Sequence, residues 1–392
     1  MTKKKILLIE MSPFPYHIGG GYSHLCMLSR GLVERGYEVH ILSSNPDDSY
    51  PMLNIPPGVI VHNVGMKHKM FGKGNKLWGY VRRVFYEWSF IKNAKKKIKE
   101  INPDIINTQS LITTSVPCSQ LRRPYVATLH GIYMEGFKEL WEKRGRKDVS
   151  MSGKFYAWLE RYNLKHCETV IGINDNVTSY YGKFIDATTI ENAIDYSQFD
   201  TIDVPKQRNK YLFLGRISEE KGIDYLIKAL TKIDKHVLNK IEFNIAGTGD
   251  EDLINDLKSQ CKKLKNIEIN FVGPLYGDDK IKMFKSSSVF VLPSRFESFG
   301  IVLLEAMASN CAVIGSNVSG PRGIIQKEFG ALVNYDDEDK RVNHLASTIL
   351  NSTTWNTNKM GEASRKEVEE RYSHKVAIDK YIEAYKEVNP EL

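Results

Sequence analysis

Two glutamates stand out in "SRFESFGIVLLEAMASN", residues 294–310, because their surroundings differ so much. Glu297 lies among polar residues, whereas Glu305 interrupts the apolar run from Ile301 to Ala308. A run that is apolar on all sides of a helix predicts a buried helix. A carboxylate buried there without a partner would be strongly destabilising, so Glu305 needs hydrogen-bond donors.

The donors for Glu305 can come from two sources. The protein can supply them from backbone amides or from an arginine. A ligand can supply them from hydroxyls, and a ribose diol suits a carboxylate because one carboxylate accepts two hydrogen bonds. The predicted helix begins near Phe299 or Gly300, and the unpaired amides of its first turn can donate to a ligand oxygen. The residues around Glu305 leave both sources open.

Further polar or flexible residues follow the predicted strands. Arg216 ends a strand in "GRISEEK" and Lys221 precedes the next helix, so both project from the carboxyl edge of a sheet. They are either solvated surface residues or ligands of an anion. Gly19 and Gly20 form a glycine-rich turn that opens a helix, which suits the close approach of a phosphate. His130, at another strand end, is either structural or a ligand contact.

Composition places the chain among ordinary globular proteins. It has 392 residues, of which 42% are hydrophobic and 26% charged, and this length favours two domains. The net charge of +8 suits an anionic ligand, a membrane surface or nucleic acid without choosing among them. Five scattered cysteines without a CxxC pair predict reduced thiols and a cytoplasmic location. The short apolar run after "MTKKK" predicts a first strand, and we expect no export signal or spanning helix.

The order of predicted elements gives the fold class. Apolar strands alternate with amphipathic helices, which predicts α/β domains with parallel sheets. The alternation lapses near residues 190–208, where polar residues accumulate, and then resumes. We therefore expect two Rossmann-like domains, with the active site in the cleft between them.

Dinucleotide and metal sites are not predicted. The strand "EVHILSSN" lacks the terminal acidic residue that would hold an adenosine ribose, which argues against an NAD enzyme. Two D-x-D patterns begin at Asp250 and Asp337, and helix capping or solvation explains both. We expect neither a metal nor any other cofactor.

The two glutamates, with "ESFG" between them, resemble the signature of the retaining glycosyltransferases of the GT-B fold, family 4. Other similar segments follow in the family's order: "GGGYSHLCMLSRGLVERGYEVHILSS", "TLHG", "ENAID", "FLGRISEEKGIDYLIKAL", "IAGTGDE", "FVGP" and "GALVNYDD". The resemblance implies two Rossmann-like domains facing each other across a cleft. Residues 1–192 would bind the acceptor, residues 193–372 would bind the nucleotide-sugar, and residues 373–392 would cross back to the first domain.

The resemblance also implies roles for individual residues. Glu305 would hold the nucleotide ribose, Glu297 the hydroxyls of the donor sugar, and Arg216 and Lys221 the donor diphosphate. His130 would contact the donor sugar near the reacting carbon. The remaining donor contacts would come from Gly19, Gly20, Leu275, Ser298, Phe299 and Gly300. Of the whole set, the catalytic residues would be Arg216, Lys221, His130 and Glu297.

The activity that this resemblance implies is a retaining, metal-independent transfer of the hexosyltransferase type. The donor would be a nucleotide-diphosphate sugar, with UDP as the first expectation. The acceptor would be a glycan or a lipid-linked hydroxyl in bacterial cell-surface polysaccharide synthesis. Two alternatives stay open: a nucleotide-sugar epimerase on the same fold, and a non-catalytic interaction partner.

A basic segment in the first half raises a separate question. Eleven lysines and arginines lie between Lys67 and Lys99 against one acid, and aromatic residues interleave with them. The segment is either a core-packing helix with a solvated basic face or a patch that contacts the inner face of a membrane. Nucleic acid is disfavoured because no recognised binding module accompanies the charge.

Overall fold

The computed structural model of the protein describes residues 3–16, 19–46, 52–67, 76–132, 151–233, 241–262, 264, 267–334 and 337–392. The chain forms two compact units. The first comprises Met1–Asn192 together with His374–Leu392, and the second comprises Ala193–Ser373. Each unit contains one sheet, and the paired strands are parallel in both. The predicted class, two Rossmann-like α/β domains, is confirmed.

The first unit is built on a seven-stranded sheet. Its strands are β1 (Lys5–Ile9), β2 (Glu38–Asn45), β3 (Val59–Lys67), β4 (Ile105–Thr108), β5 (Val126–Leu129), β6 (Thr169–Gly172) and β7 (Ala187–Thr189). They lie in the order β3-β2-β1-β4-β5-β6-β7. The helices are α1 (Gly20–Glu34), α2 (Lys76–Ile101), α3 (Val116–Leu121), α4 (Met151–Leu164), α5 (Asp175–Tyr181) and the C-terminal helix (His374–Val388).

The second unit repeats this plan with six strands. They are β8 (Gln207–Leu214), β9 (Glu242–Ala246), β10 (Glu268–Gly273), β11 (Ser287–Leu292), β12 (Ala312–Ser316) and β13 (Gly330–Val333), in the order β10-β9-β8-β11-β12-β13. The helices are α6 (Ile223–Lys232), α7 (Glu251–Cys261), α8 (Gly277–Ser286), α9 (Ile301–Ala308), α10 (Ser319–Ile324), α11 (Glu338–Ser352) and α12 (Thr357–Arg371). Two short 3-10 helices, Tyr196–Asp200 and Glu219–Lys221, complete it.

The strands form where short apolar runs can be covered on both faces. In β11 all six residues are buried, and in β1 the four residues from Ile6 to Ile9 are buried. Continuous burial of this kind is typical of parallel strands with helices on both sides. In such strands, polar groups that can meet a ligand are expected at the strand ends and in the loops that follow.

The strand order creates one special edge in each sheet. In the first unit β1 lies beside β4, and in the second unit β8 lies beside β11. From each of these central pairs the chain continues outward in opposite directions, which opens a crevice beyond the carboxyl ends of the pair. Residues that directly follow β4, β8 and β11 are thus the first places to look for a ligand site.

Some elements differ from the sequence-based prediction. Strands β3 and β7 were not predicted, because both lie at sheet edges and are only partly buried, so neither shows a continuous apolar run. Helix α2 extends over Lys76–Ile101, so it contains most of the basic segment.

The two D-x-D patterns cap helices, as predicted. The Asp250 carboxylate accepts a hydrogen bond from the amide of Leu253 at 3.1 Å, and the Asp337 carboxylate accepts one from the amide of Lys340 at 3.0 Å. Both carboxylates therefore satisfy first-turn amides of their own helices. Within the described ranges, no helix combines the length and apolar character needed to cross a membrane.

Candidate active site

The turn after β8 carries Arg216 on a tightly held backbone. The amide of Ile217 donates to the carbonyl of Thr248 at 2.8 Å, and a Cβ on Gly247 would lie 1.8 Å from the carbonyl oxygen of Gly215. This close approach requires glycine at position 247, whose φ of +140° also favours it. The Arg216 side chain is exposed, and none of the described residues pairs with it. A rigid turn thus presents an uncompensated cation.

Lys221 and Glu297 meet, although they come from separate stretches of the sequence. Lys221 ends the 3-10 helix after β8, and Glu297 lies in the loop after β11. The Lys221 Nζ donates to Glu297 Oε2 at 2.8 Å, and the two side chains are 23% and 12% exposed. A partly buried pair is screened by salt much less than a surface pair. Two of the predicted site residues therefore form one ion pair at the crevice.

Arg295 ties together the two segments that carry this pair. Its guanidinium donates to both oxygens of Asp224, at 2.6 and 2.7 Å, and its backbone amide donates to the carbonyl of Glu220 at 2.8 Å. Bidentate arginine–carboxylate bonds fix geometry as well as charge. Arg295 thereby holds the Glu297 loop against the Lys221 turn. No role for Arg295 was predicted from the sequence, although it lies within residues 294–310.

The expected protein partner of Glu305, a backbone amide or an arginine, is wrong. The protein supplies its partner, which is neither a backbone amide nor an arginine: Lys280 Nζ on α8 donates to Glu305 Oε1 at 2.6 Å. The Glu305 side chain is 14% exposed, on a helix whose other face buries Leu303, Leu304 and Met307. A ligand is therefore not needed to satisfy the charge. In the described part of the chain Oε2 has no partner, so the carboxylate keeps the capacity to accept hydrogen bonds.

The loop before α9 leaves the start of that helix open. The helix begins at Ile301 with Gly300 as its N-cap at φ +97°, and this N-cap residue supplies no side-chain hydrogen bond to the first turn. Phe299 is buried, and a Cβ on Gly320 would lie 2.3 Å from its carbonyl oxygen, so the backbone here is held closely. Ser298 is half-buried next to these residues. The predicted position of the helix start is confirmed to within one or two residues.

Leu275 lies in the loop between β10 and α8. Gly273 and Gly277 flank the loop with φ values of +76° and +48°, so it turns sharply at both ends. The Leu275 side chain is half-buried. Its contact with a base stays a prediction.

The first unit gathers its own polar residues at the carboxyl ends of β4 and β5. His130 follows β5, and its Nε2 lies 3.0 Å from Oε1 of Gln109, which follows β4. The ring of His24 lies edge-on to His130, with 4.8 Å between the ring centroids. Burial lowers the pKa of His130 to about 4, so its imidazole is neutral at neutral pH. Neither Gln109 nor His24 was assigned from the sequence, which gives no spacing signal for them.

The glycine turn of the first unit opens α1 as predicted. Gly20 is the first residue of the helix, and Gly19 precedes it in an extended backbone conformation. Both are exposed. Their contact with a phosphate stays a prediction.

Comparison with known families decides the class of protein. A model described as Glycosyltransferase Family 4 matches residues 18–198, and a model described as Glycosyl transferases group 1 matches residues 197–367. The chain belongs to the family 4 glycosyltransferases. It is thus a glycosyltransferase, and the resemblance drawn from "ESFG" and the motifs around it is confirmed.

Relatives support this membership along the chain. An uncharacterized glycosyltransferase of Methanocaldococcus jannaschii is 28% identical and covers 97% of this chain and 98% of its own. The phosphatidyl-myo-inositol mannosyltransferase of Mycolicibacterium smegmatis is 27% identical over 83% of this chain and 80% of its own. The Escherichia coli UDP-Gal:alpha-D-GlcNAc-diphosphoundecaprenol alpha-1,3-galactosyltransferase is 27% identical over 66% of this glycosyltransferase and 70% of its own chain.

Solved structures share the fold. Sucrose-phosphate synthase from Thermosynechococcus elongatus superimposes with a TM-score of 0.78 at 19% identity, covering 100% of both chains. Anabaena HepE in complex with UDP-glucose superimposes with a TM-score of 0.70 at 15% identity, covering 98% of this chain and 99% of its own. The glycosyltransferase therefore has the GT-B fold.

A pair of glycine variants tests how closely the Lys221 turn packs. Gly222 has φ +69°, and a Cβ there would lie 1.9 Å from the carbonyl oxygen of Pro293, whereas Gly273 has φ +76° with nothing within 4 Å. Both alanine variants incur a left-handed backbone cost of about 1–2 kcal/mol. We expect Gly273→Ala to lower the Tm by about 2–8 °C and Gly222→Ala to lower it at least twice as much, measured by circular dichroism. Equal shifts would show that the turn can move away from Pro293.

Proposed function

We propose that this glycosyltransferase moves a sugar from a nucleotide-diphosphate donor, first of all a UDP-sugar, to a hydroxyl of a glycan or lipid-linked acceptor. The transfer retains the configuration of the sugar, needs no metal, and serves bacterial cell-surface polysaccharide synthesis at the cytoplasmic side of the membrane. One observation carries the proposal. The crevice beyond β8 and β11 presents the uncompensated Arg216 together with the Lys221–Glu297 pair, and this arrangement suits a ligand with both phosphates and hydroxyls.

The charges of the second unit support a diphosphate donor. Asp224, Glu297 and Glu305 are each matched by a cation of the protein. Arg216 is not, so an anion entering the crevice gains an attraction that no described side chain already satisfies. The uncapped amides at the start of α9 add donors for phosphate oxygens. HepE was solved with UDP-glucose, and the E. coli relative is named for a UDP-Gal donor, which favours UDP.

The names of two relatives support a lipid-linked acceptor. The E. coli enzyme acts on a diphosphoundecaprenol-linked sugar, and the mycobacterial enzyme acts on phosphatidyl-myo-inositol. Both acceptors join a hydroxyl-bearing head to a lipid. An uncharged hydroxyl suits neutral hydrogen-bonding partners. Because the candidate residues of the first unit are of this kind, we place the acceptor there.

The proposed reaction separates charge that the protein can stabilise. The bond from the sugar's anomeric carbon to the diphosphate oxygen breaks, and a bond to the acceptor oxygen forms on the same face. Arg216 and Lys221 stabilise the charge that develops on the leaving diphosphate, as fixed cations do. Glu297 and Glu305 are each paired with a lysine and serve as hydroxyl acceptors rather than as nucleophiles. The acceptor's proton passes to an oxygen of the leaving phosphate.

A donor screen tests the proposal directly. Thermal-shift measurements with UDP-, GDP- and ADP-sugars should show the largest stabilisation with a UDP-sugar, the proposed donor. A ligand at 100 times its Kd adds about 2.7 kcal/mol to the free energy of unfolding, so binding is readily detected. Product analysis with a lipid-linked acceptor then reports transfer. Turnover of donor without acceptor would favour an epimerase instead. Absence of both binding and nucleotide release across the panel would favour a non-catalytic partner.

The role of Glu305 is tested with a matched control. We expect Glu305→Ala to raise the Kd for the nucleotide diphosphate at least about tenfold, because the ribose loses hydrogen bonds to a charged acceptor. Glu338→Ala is the control, since Glu338 also pairs with a lysine, Lys228, at 2.6 Å, and no contact with the donor is proposed for it. Titration calorimetry measures both. Unchanged affinity in the Glu305 variant would remove it from the donor site.

Lys221 is expected to act on turnover rather than on affinity. Lys221→Ala removes a cation that stabilises the leaving group mainly in the transition state, so we expect kcat to fall about 100-fold or more. KM for the donor should change far less. Steady-state kinetics separate the two effects, and a variant that loses affinity while keeping kcat would contradict the assignment.

Helices α2 and α4 support the membrane contact proposed from the basic segment. Residues 68–75 and the side chains of 76–80 lie outside the described part of that segment. In the remainder, Phe90, Ala94 and Ile98 pack into the core. The interpretation as a core-packing helix thus holds for one face of α2, and the other face needs a separate explanation.

An exposed aromatic face spans both helices. We define it as Val84, Phe85, Trp88, Phe155 and Trp158, which are between 52% and 66% exposed. The two helices contact each other, because the Tyr156 hydroxyl of α4 donates to Glu87 of α2 at 2.7 Å. The same helices and the residue after α4 carry exposed cations: Arg82, Lys92, Lys96, Lys99, Lys154, Arg161 and Lys165. Aromatic rings flanked by cations suit the headgroup level of an anionic bilayer.

Vesicle binding tests the membrane contact. We expect the protein to sediment with phosphatidylglycerol vesicles and far less with phosphatidylcholine vesicles. Trp88→Ala combined with Trp158→Ala should weaken binding about tenfold or more, because each buried ring contributes about 1.5–3 kcal/mol. Phe184→Ala, which changes an aromatic residue 64% exposed outside these helices, is the control. Equal binding by the double variant and the wild type would locate the contact elsewhere.

A further inference from the structure

Gln109 lies at the central edge of the first sheet, directly after β4. It is 5% exposed, and its backbone amide donates to the carbonyl of Ile9 at the end of β1 at 2.9 Å. Its side chain reaches toward the end of β5, where Oε1 lies 3.0 Å from Nε2 of His130. A buried amide between the two strand ends that flank the crevice therefore contacts the histidine.

A second buried amide sets the orientation of Gln109. Gln109 Nε2 donates to Asn107 Oδ1 at 3.1 Å, and Asn107 Nδ2 donates to the hydroxyl of Tyr385 at 2.7 Å. The Thr128 hydroxyl oxygen lies 3.0 Å from Asn107 Nδ2 and 3.1 Å from Asn107 Oδ1, so it fits either orientation of this amide. Because Asn107 Oδ1 accepts from Gln109, the Gln109 oxygen is the atom that faces His130. An oxygen can only accept there, so the proton lies on Nε2 of His130.

The other ring nitrogen of His130 is free to make a further contact. Nδ1 has no hydrogen-bond partner among the described residues, and it is not fully buried. The ring as a whole is half-buried. In the tautomer with Nε2–H, Nδ1 carries a lone pair. His130 thus offers one hydrogen-bond acceptor to the crevice while its other nitrogen is held inside.

His24, the neighbour of His130, is a neutral imidazole as well. Its ring lies edge-on to His130 at 4.8 Å, and its Nδ1 lies 2.9 Å from Asn192 Oδ1, whereas its buried Nε2 has no partner among the described residues. Burial and the neighbouring His130 lower the pKa of His24 well below 6.5. Burial likewise lowers the pKa of His130 to about 4. A neutral His130 keeps its Nδ1 lone pair at every pH near neutrality.

We propose that Gln109 is a positioning residue that fixes His130 as the Nε2–H tautomer and so presents Nδ1 as an acceptor for a substrate hydroxyl. The identity of that hydroxyl, on a sugar or an acceptor, rests on the proposed function. The tautomer itself does not depend on any substrate.

Nitrogen-resolved NMR tests the tautomer without a ligand. In protein labelled with 15N on the histidine rings, long-range proton–nitrogen correlations distinguish the two tautomers, and His130→Asn assigns the signals. We expect the Nε2–H pattern for His130, with a directly bonded proton visible because Gln109 protects it from exchange. Gln109→Leu should lose that proton signal. An Nδ1–H pattern in the wild type, or an unchanged signal in the Leu variant, would overturn the proposal.

The pH dependence of kcat/KM in Gln109→Glu tests positioning, because a merely structural role of Gln109 would not change that dependence. The carboxylate still accepts from Nε2–H, so the tautomer should persist. The Asn107 amide must turn so that its Nδ2 donates to the second carboxylate oxygen, and its Oδ1 then accepts from the hydroxyls of Tyr385 and Thr128. The negative charge favours imidazolium and raises the pKa of His130. Protonated Nδ1 cannot accept a hydrogen bond. The variant should therefore approach wild-type kcat/KM at pH 8 and lose activity as the pH falls toward 6, with the loss tracking the NMR titration of His130. A profile parallel to that of the wild type would contradict the proposal.

The two measurements also separate this proposal from the proposed function. If no donor or acceptor supports transfer, the NMR signals still report whether Gln109 sets the tautomer. With an active donor, Gln109→Leu should lower kcat/KM about 3- to 10-fold, the equivalent of one lost hydrogen bond. Restoration in Gln109→Glu at pH 8 but not in Gln109→Leu would distinguish positioning from packing. Failure of Gln109→Glu to restore activity at pH 8 would overturn the positioning role.

Discussion

The pairing of β8 with β11 is the constraint on which the candidate active site depends. Tyr211 lies opposite Val289 and Leu212 opposite Phe290, so two segments distant in sequence end at one edge of the sheet. Because the chain leaves this pair in opposite directions, nothing in the sheet itself fills the space beyond it. Lys221 and Glu297 meet there, and Arg295 prevents the two loops from separating. The strand order, rather than any single sequence motif, is thus what brings the two charged residues together.

This dependence explains how much the sequence could predict. Strand β11 is a continuous apolar run and α6 an amphipathic one, so local patterns predicted both and with them the positions of Arg216, Lys221 and Glu297. The partner of Glu305 could not be predicted in this way. Lys280 lies on a helix with an exposed polar face, and only the packing of α8 against α9 brings it to the carboxylate. Edge strand β3 was missed because half-buried residues give no clear period.

The two units organise their polar groups by different means. In the second unit, carboxylates and cations form part-buried pairs, such as Lys280 with Glu305. In the first unit, Gln109, Asn107 and His130 form a chain of neutral hydrogen bonds. Ion pairs respond to an arriving phosphate through charge, whereas a neutral chain exchanges hydrogen bonds with hydroxyls and attracts few ions. The division matches the proposed reaction, in which the leaving group is an anion and the nucleophile is an uncharged hydroxyl.

The C-terminal helix makes the first unit discontinuous in sequence. Tyr385 completes the hydrogen bonds of Asn107, and a Cβ on Gly31 of α1 would lie 2.3 Å from Cγ1 of Ile378, so the helix is fitted closely to its unit. During synthesis, the ribosome makes these residues only after the whole second unit. The first unit must therefore wait, with part of its interior uncovered, until the C-terminal helix has been made. A chain interrupted directly after Ser373 would carry a complete second unit and an unfinished first one.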